Sequence, residues 1–180
     1  VEPQSETVWR QANKYSVPRI CFMNKINLIG GDFEKSFGTI KERLSKKAIA
    51  ITLPIGKEHD LHGYVDLIKM KAYKYEGIDT PDLLETDIPE NMKDMVTKYR
   101  EELVEVLAEQ EDELMEKFFA GEELTEEELY SALRKGTLDR KIFPVLGGDS
   151  RTAMSKTLLD YITLCLPSPL ERPPVKGIDP

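Results

Sequence analysis

The apolar residues at the start of the chain fall into two rhythms. After Glu2-Pro3-Gln4-Ser5, which reads as the beginning of a helix, Val8, Ala12 and Tyr15 recur at helical spacing until Ser16 and Pro18 stop the pattern. Arg19-Ile20-Cys21-Phe22-Met23 is compact, apolar and too short for a helix, as expected of a buried parallel strand. A loop over residues 24–31 follows. Phe33, Phe37, Ile40 and Leu44 then share one face of a helix over residues 32–44. Helix, strand, loop and helix in this order belong to an α/β sheet.

The texture then changes. Residues 48–54 and 63–75 mix β-branched and aromatic positions with Gly56 and Gly63 and alternate in part, which predicts a small antiparallel sheet. Residues 89–119 read as helical, with Met92, Val96, Tyr99, Leu103, Val106 and Leu107 on one stripe, Leu114 and Phe118 on another, and the acidic cluster at 109–113 dividing two helices. Gly121 ends the second. Leu124-Thr125-Glu126-Glu127-Glu128-Leu129 is a start signal, with Thr125 as N-cap, Glu128 reaching back and Leu124 stapling to Leu129; Gly136 is expected to close that helix. Residues 141–146 predict a second buried strand, and after Gly147-Gly148-Asp149-Ser150 a helix runs over 151–166. Pro167, Pro169, Pro173 and Pro174 read as an extended connector.

Two buried strands do not make a sheet core, so the expected architecture is an incomplete α/β sheet interrupted by a self-contained insertion, with the remaining strands upstream of Val1. The expected divisions are 1–47 and 142–167 for the sheet, 48–141 for the insertion and 168–180 for a linker.

Composition narrows the class. The 180 residues, 40% apolar and 32% charged, suit a globular domain with an appendage. No apolar run approaches the ~18 residues of a membrane span, and Val1-Glu2-Pro3 lacks the features of a secretion signal, so a cytoplasmic location is expected. Cys21 and Cys165 form neither a disulfide framework nor a zinc pattern. The net charge of -8 is uneven: residues 81–130 hold 18 acidic and 4 basic side chains, a local -14, against +6 elsewhere. Such a block repels phosphates and suits either a basic protein surface or water. Glu101, Glu102, Glu105, Glu109 and Asp112 can populate adjoining outward positions there.

His59 and His62, with Glu58, Asp60 and Asp66 nearby, lack a third fixed ligand and read as a solvated turn without metal. Met92, Met95 and Met115 read as packing, and Trp9 as a core or interface residue. No nucleophile, base and orienting group assemble into a catalytic set. Asn24-Lys25-Ile26-Asn27 and Gly148-Asp149-Ser150 each follow a predicted strand, at the sheet edge where open α/β folds place ligands.

Asn24 to Asn27 resembles the N-K-x-D guanine-specificity motif of GTPases. Residues 1–12, Leu53-Pro54-Ile55-Gly56, Glu113-Leu114-Met115-Glu116-Lys117, Gly121-Glu122-Glu123-Leu124-Thr125, Leu166-Pro167-Ser168-Pro169-Leu170 and Val175-Lys176-Gly177-Ile178-Asp179-Pro180 are similar to the bacterial elongation factor G family. The similarity covers essentially the whole chain. It implies an α/β fold comprising an incomplete P-loop GTPase-type parallel sheet with an inserted α+β subdomain, and a parent that binds GTP or GDP with Mg and promotes translocation on the ribosome. The phosphate loop, switch regions and magnesium ligands of the family lie upstream of this segment, which is not expected to hydrolyse GTP by itself.

By the same resemblance Asn24 braces the phosphate loop and contacts the base, and the Lys25 stem covers the base plane. The resemblance further implies that the helix carrying Glu101, Glu102, Glu105, Glu109 and Asp112 meets the basic carboxy-terminal domain of the ribosomal stalk protein. The family's motif ends in Asp, which accepts two hydrogen bonds from guanine; this chain has Asn27, whose amide offers one acceptor and one donor group. An amide fits xanthine better, at a cost to guanine of roughly 1 to 3 kcal/mol; alternatively the exchange is tolerated. Gly148-Asp149-Ser150 likewise departs from the family's G-S-A, and its backbone N–H groups are expected to face the guanine carbonyl. A tetracycline-resistance ribosome protection protein and a non-enzymatic acidic binding module are the alternatives; an upstream P-loop separates the module from the enzymes.

Overall fold

A computed structural model describes residues 1–77 and 82–171. Its organising strand is β7 (Phe143–Gly147), buried throughout, with β1 (Cys21–Met23) and β2 (Ala48–Ala50) parallel to it on either side. Helices α1 (Pro3–Lys14), α2 (Phe33–Arg43) and α6 (Met154–Cys165) accompany this sheet. The antiparallel sheet has the order β3 (Thr52–Ile55), β4 (Gly63–Asp66), β5 (Lys71–Lys74) and β6 (Leu84–Thr86). Helices α3 (Lys93–Ala108), α4 (Asp112–Ala120) and α5 (Glu126–Leu138) complete the chain.

The parallel strand expected over 19–23 is shorter by two residues, and the reason lies across the ladder. Gly148 N–H donates to Met23 O, so two steps back along both strands the slot facing Arg19 O falls to Pro144, which has no N–H to give. Residues 48–54 require a larger correction. They do not form one antiparallel segment: Ala48–Ala50 is a third parallel strand, and the antiparallel sheet begins at Thr52. Ile51, fully buried between them, donates its N–H to Val145 O and accepts from Leu67 N–H, both at 3.0 Å. β6 was not legible at all, because Leu84-Glu85-Thr86 is an exposed edge with no apolar alternation.

The helical expectations hold with adjustments. Asp32 caps α2 by accepting from Lys35 N–H, and Thr125 with Glu128 forms the reciprocal capping box at α5. Gly121, at φ +73°, ends α4. Gly136 does not end α5: it is buried within the last turn, where an added Cβ would lie 2.7 Å from Ile142 Cδ1. The turn is closed instead by Arg140 in the left-handed region (φ +58°), which brings Lys141 N–H back to Gly136 O at 2.8 Å. On α1 the buried residue is Trp9, edge-on to Phe143 at 4.7 Å and covered by the Arg19 guanidinium, whereas Val8 and Tyr15 of the expected stripe are exposed. Val8 and Ala12 face an open groove of about 710 Å³ over β1. Met92 is buried and Met115 half-buried, but Met95 is exposed.

A polar seam joins the antiparallel sheet to α6. Asp66 accepts from Ile68 and Lys69 N–H and from Tyr161 Oη–H at 2.9 Å, while Tyr64 and Thr157 share a 2.5 Å hydroxyl contact. Cys21 and Cys165 are free thiols, and burial raises them to about 11 and about 12. Among the described residues no helix is long and apolar enough to cross a membrane, and no cluster of three metal-ligating side chains forms, including around His59 and His62. Pro173 and Pro174 of the expected connector lie outside the described residues; ahead of them Pro169–Glu171 forms a 3-10 turn.

That turn is tied to α5. Ser168 N–H donates to Glu171 at 2.6 Å and the Arg134 guanidinium meets the same carboxylate, in that order of effect holding its pKa down to about 2. Because the folded carboxyl is the stronger acid, the tether is complete above the ordinary carboxylate range and is lost as the pH falls through about 2. A carboxyl-detected NMR titration should therefore find Glu171 still ionised at pH 3, and Arg134→Ala should move its midpoint upward.

Candidate functional site

Because β1 and β7 are parallel and in register from Cys21↔Val145 to Met23↔Gly147, their carboxyl ends deliver Asn24 and Gly148 side by side. The two loops are stitched together. Asn24 Oδ1 accepts from Ser150 N–H at 3.1 Å and from Lys25 N–H at 2.9 Å, and Ile26 N–H leans on Gly148 O at 3.5 Å. Lys25 is left-handed (φ +64°), an unusual conformation for a side-chain-bearing residue that reverses the chain directly after the bracing Asn. Gly147 and Gly148 lie against Phe33 and Met154, where an added Cβ would come within 2.6 Å of either ring or thioether chain.

Asn24, Lys25, Asn27, Leu28, Asp149, Ser150 and Arg151 line an open cleft of about 280 Å³. Gly148 does not line this cleft. Asn27 brings the one unusual polar group: its side-chain oxygen is buried without a hydrogen-bond partner. A buried acceptor in that state costs ~1 to 3 kcal/mol until a donor fills it.

The charge of Asp149 does not face the cleft as a free carboxylate. The residue is 3% exposed and bound by Arg151 through the backbone N–H and the guanidinium, both at 3.0 Å. Burial works against ionisation, yet these bonds hold the carboxyl below its ordinary range. The backbone N–H groups of Gly148, Ser150 and Arg151 are already given to Met23 O, Asn24 Oδ1 and Asp149 Oδ1. The expectation that this loop presents its N–H groups outward is thereby reduced, because the loop uses them to hold itself and its neighbour. The Asn24–Ser150 bond and the open Asn27 acceptor were beyond sequence reasoning.

The acidic residues divide differently from the sequence pattern. Glu101 and Glu105 are exposed on α3 and Glu109 caps its end, while Asp112 opens the separate helix α4. Glu102 is half-buried and ion-paired with Lys41 of α2, so it belongs to the contact between α2 and α3.

The profile of the family described as "Elongation factor Tu GTP binding domain" matches residues 1–168. The chain belongs to this family of GTP-binding domains. It is 51% identical over 182 residues to elongation factor G 1 of Bdellovibrio bacteriovorus, an alignment that takes in all of this chain and 26% of that protein. A crystal structure of a Thermus thermophilus protein aligns with a TM-score of 0.83 at 28% identity, over 95% of this chain and 25% of the other. The chain thus spans about a quarter of the length of these two relatives.

Asn24→Ala should remove the tie between the loops while leaving the buried sheet intact. The expected loss is about 1 kcal/mol in denaturant unfolding, with faster hydrogen exchange at Lys25 and Ser150 N–H. Unchanged exchange at Ser150 would show that the loops hold their positions independently.

Proposed function

We propose that this chain supplies the base-recognising part of the guanine nucleotide site in a translational GTPase of the elongation factor G kind, together with a subdomain that docks on the ribosomal stalk. The observation that carries the first half is the Asn24 carboxamide bridging two loops at the carboxyl ends of adjacent parallel strands. In this reading the base enters the cleft between Lys25 and Ser150, with the Lys25 stem over its face. The buried Asn27 oxygen accepts from the guanine N1–H or 2-amino group. GTP or GDP with Mg is the expected ligand of the complete protein, with phosphates and metal held by residues beyond this chain. The divisions at 142–167 and 168–180 are kept as functional units, and the first boundary moves from 47/48 to Ile51, because Ala48–Ala50 pairs with the parallel sheet.

Support for docking comes from where α3 carries its acids. Glu105 and Glu109 sit in the last turn and at the cap, where the helix dipole disfavours negative charge, and no basic residue occupies that turn. Acids placed against the local preference of the helix are consistent with selection for a basic partner. The partner proposed is the stalk protein's carboxy-terminal domain, reached on the ribosome.

In the complete protein Asn27→Asp should improve selectivity for GTP over XTP by about tenfold, because a carboxylate offers two acceptors to the guanine edge. Equal selectivity in wild type and variant, read by competition binding, would remove Asn27 from base recognition. Glu101→Lys, Glu105→Lys and Glu109→Lys together should abolish stalk-domain binding in an NMR titration without loss of helicity. Wild-type association should weaken steeply as the screening length falls from ~30 Å at 0.01 M to ~10 Å at 0.1 M salt. Binding indifferent to the reversals would leave this face as solvated surface.

A further inference from the structure

The loop over residues 24–31 is anchored at its start by Asn24, and its far end closes on itself through Gly31 N–H to Leu28 O at 2.8 Å, just ahead of Phe33, which packs on Gly147. There the chain turns through Gly30 (φ +83°) and Gly31, whose added Cβ would fall 2.3 Å from Ile26 O. Such a turn leaves no side chain of its own to hold it. A further anchor comes from the antiparallel sheet: Glu58, in the connection between β3 and β4, accepts the Gly30 N–H at 2.7 Å across 28 residues of sequence. Lys57 adds a long ion pair, 3.9 Å, to Asp32, the N-cap of α2.

The β3–β4 connection is shaped to make this reach. Glu58 is left-handed (φ +47°), a conformation a glutamate rarely adopts and one that glycine or asparagine would take more readily. Gly56 is also left-handed, and an added Cβ there would meet Asp60 O at 2.1 Å. His62 fastens the base of the connection, its N–H to Ile55 O and its Nδ1 against Asp60 O at 2.5 Å. Backbone strain at the very residue that reaches across the fold to Gly30 marks Glu58 as more than a solvated turn residue.

We infer that Glu58 is a positioning residue for the candidate base site: it clamps the 24–31 loop from the inserted subdomain and so sets where Asn27 stands. Asn24 fixes one end of this loop against the 148–150 loop, Glu58 fixes the other, and Asn27 lies between the two anchors. The inference rests on the base-site reading above for its effect on nucleotide, but the clamp itself does not. Movement of the β3–β4 connection would be transmitted to this loop mainly through the charge-assisted Glu58–Gly30 hydrogen bond, with the longer Lys57–Asp32 pair beside it.

The test uses the complete protein that contains this chain, with Glu58→Ala, Glu58→Gln and wild type. Hydrogen exchange at residues 26–31 reads the clamp, stopped-flow release of a fluorescent GDP reads the site, and thermal unfolding reads stability. Glu58→Ala should speed exchange at Gly30 and raise GDP release about three- to tenfold with the unfolding temperature nearly unchanged, and Glu58→Gln, which keeps an acceptor oxygen, should restore most of both. Unaltered exchange in Glu58→Ala would overturn the clamp. Faster exchange with unaltered GDP release would overturn the positioning role. Wild type that binds no guanine nucleotide while its loop still loosens in Glu58→Ala would overturn the base-site reading, and the nucleotide effect with it, while upholding the clamp.

Discussion

Strand β7 must satisfy neighbours on both sides with five residues, although one neighbour, β2, ends at Ala50 and β7 itself starts only at Phe143. Everything between has to fold so as to return the chain to the same ladder. Phe143 N–H closes on Lys47 O and Val145 O receives Ile51 N–H, which pins the insertion's two ends within two residues of each other on one strand. The cost of closing so long an excursion grows only slowly with its length, whereas a misplaced register would turn every side chain of β7 to the opposite face of the sheet. The central strand therefore depends on the insertion being folded, and the candidate site depends on the central strand.

Much of this was legible from apolar spacing and capping residues. The α2 face, the division between α3 and α4, the capping box at Thr125 and the loops following both strands could be read because each is decided within a few neighbouring residues. What escaped was decided across the chain. Ala48–Ala50 has the composition of either sheet, and only its partner makes it parallel. Gly136 satisfies the local grammar of a helix end, but contact with Ile142 explains it, while Arg140 takes the left-handed position that the grammar assigns to glycine. Val8 and Tyr15 follow helical spacing without being the buried face, since the ring that meets Phe143 is Trp9.

The candidate site shows the same division. Residue types at 24–27 and 148–150 could be named from the sequence, since a motif is a statement about neighbours. Their condition could not. Asp149 stands in the sequence only as a departure from G-S-A until Arg151 is seen to close on it, and Glu102 reads as part of an acidic surface until Lys41 is seen to occupy it. Electrostatic roles in this molecule are set by the nearest opposite charge rather than by the local density of acids.

Ile51 belongs to two sheets at once, with its N–H in the parallel ladder and its C=O bonded to Leu67 at the start of the antiparallel one. A junction made of one buried residue is not a hinge in the ordinary sense, because rotating about it would break hydrogen bonds on both sides. Mechanically the subdomain is welded to the sheet rather than strung from it. A push on its outer helices would therefore be passed to the sheet as torque, and a genetic splice at this junction would have to rebuild two ladders rather than cut a linker.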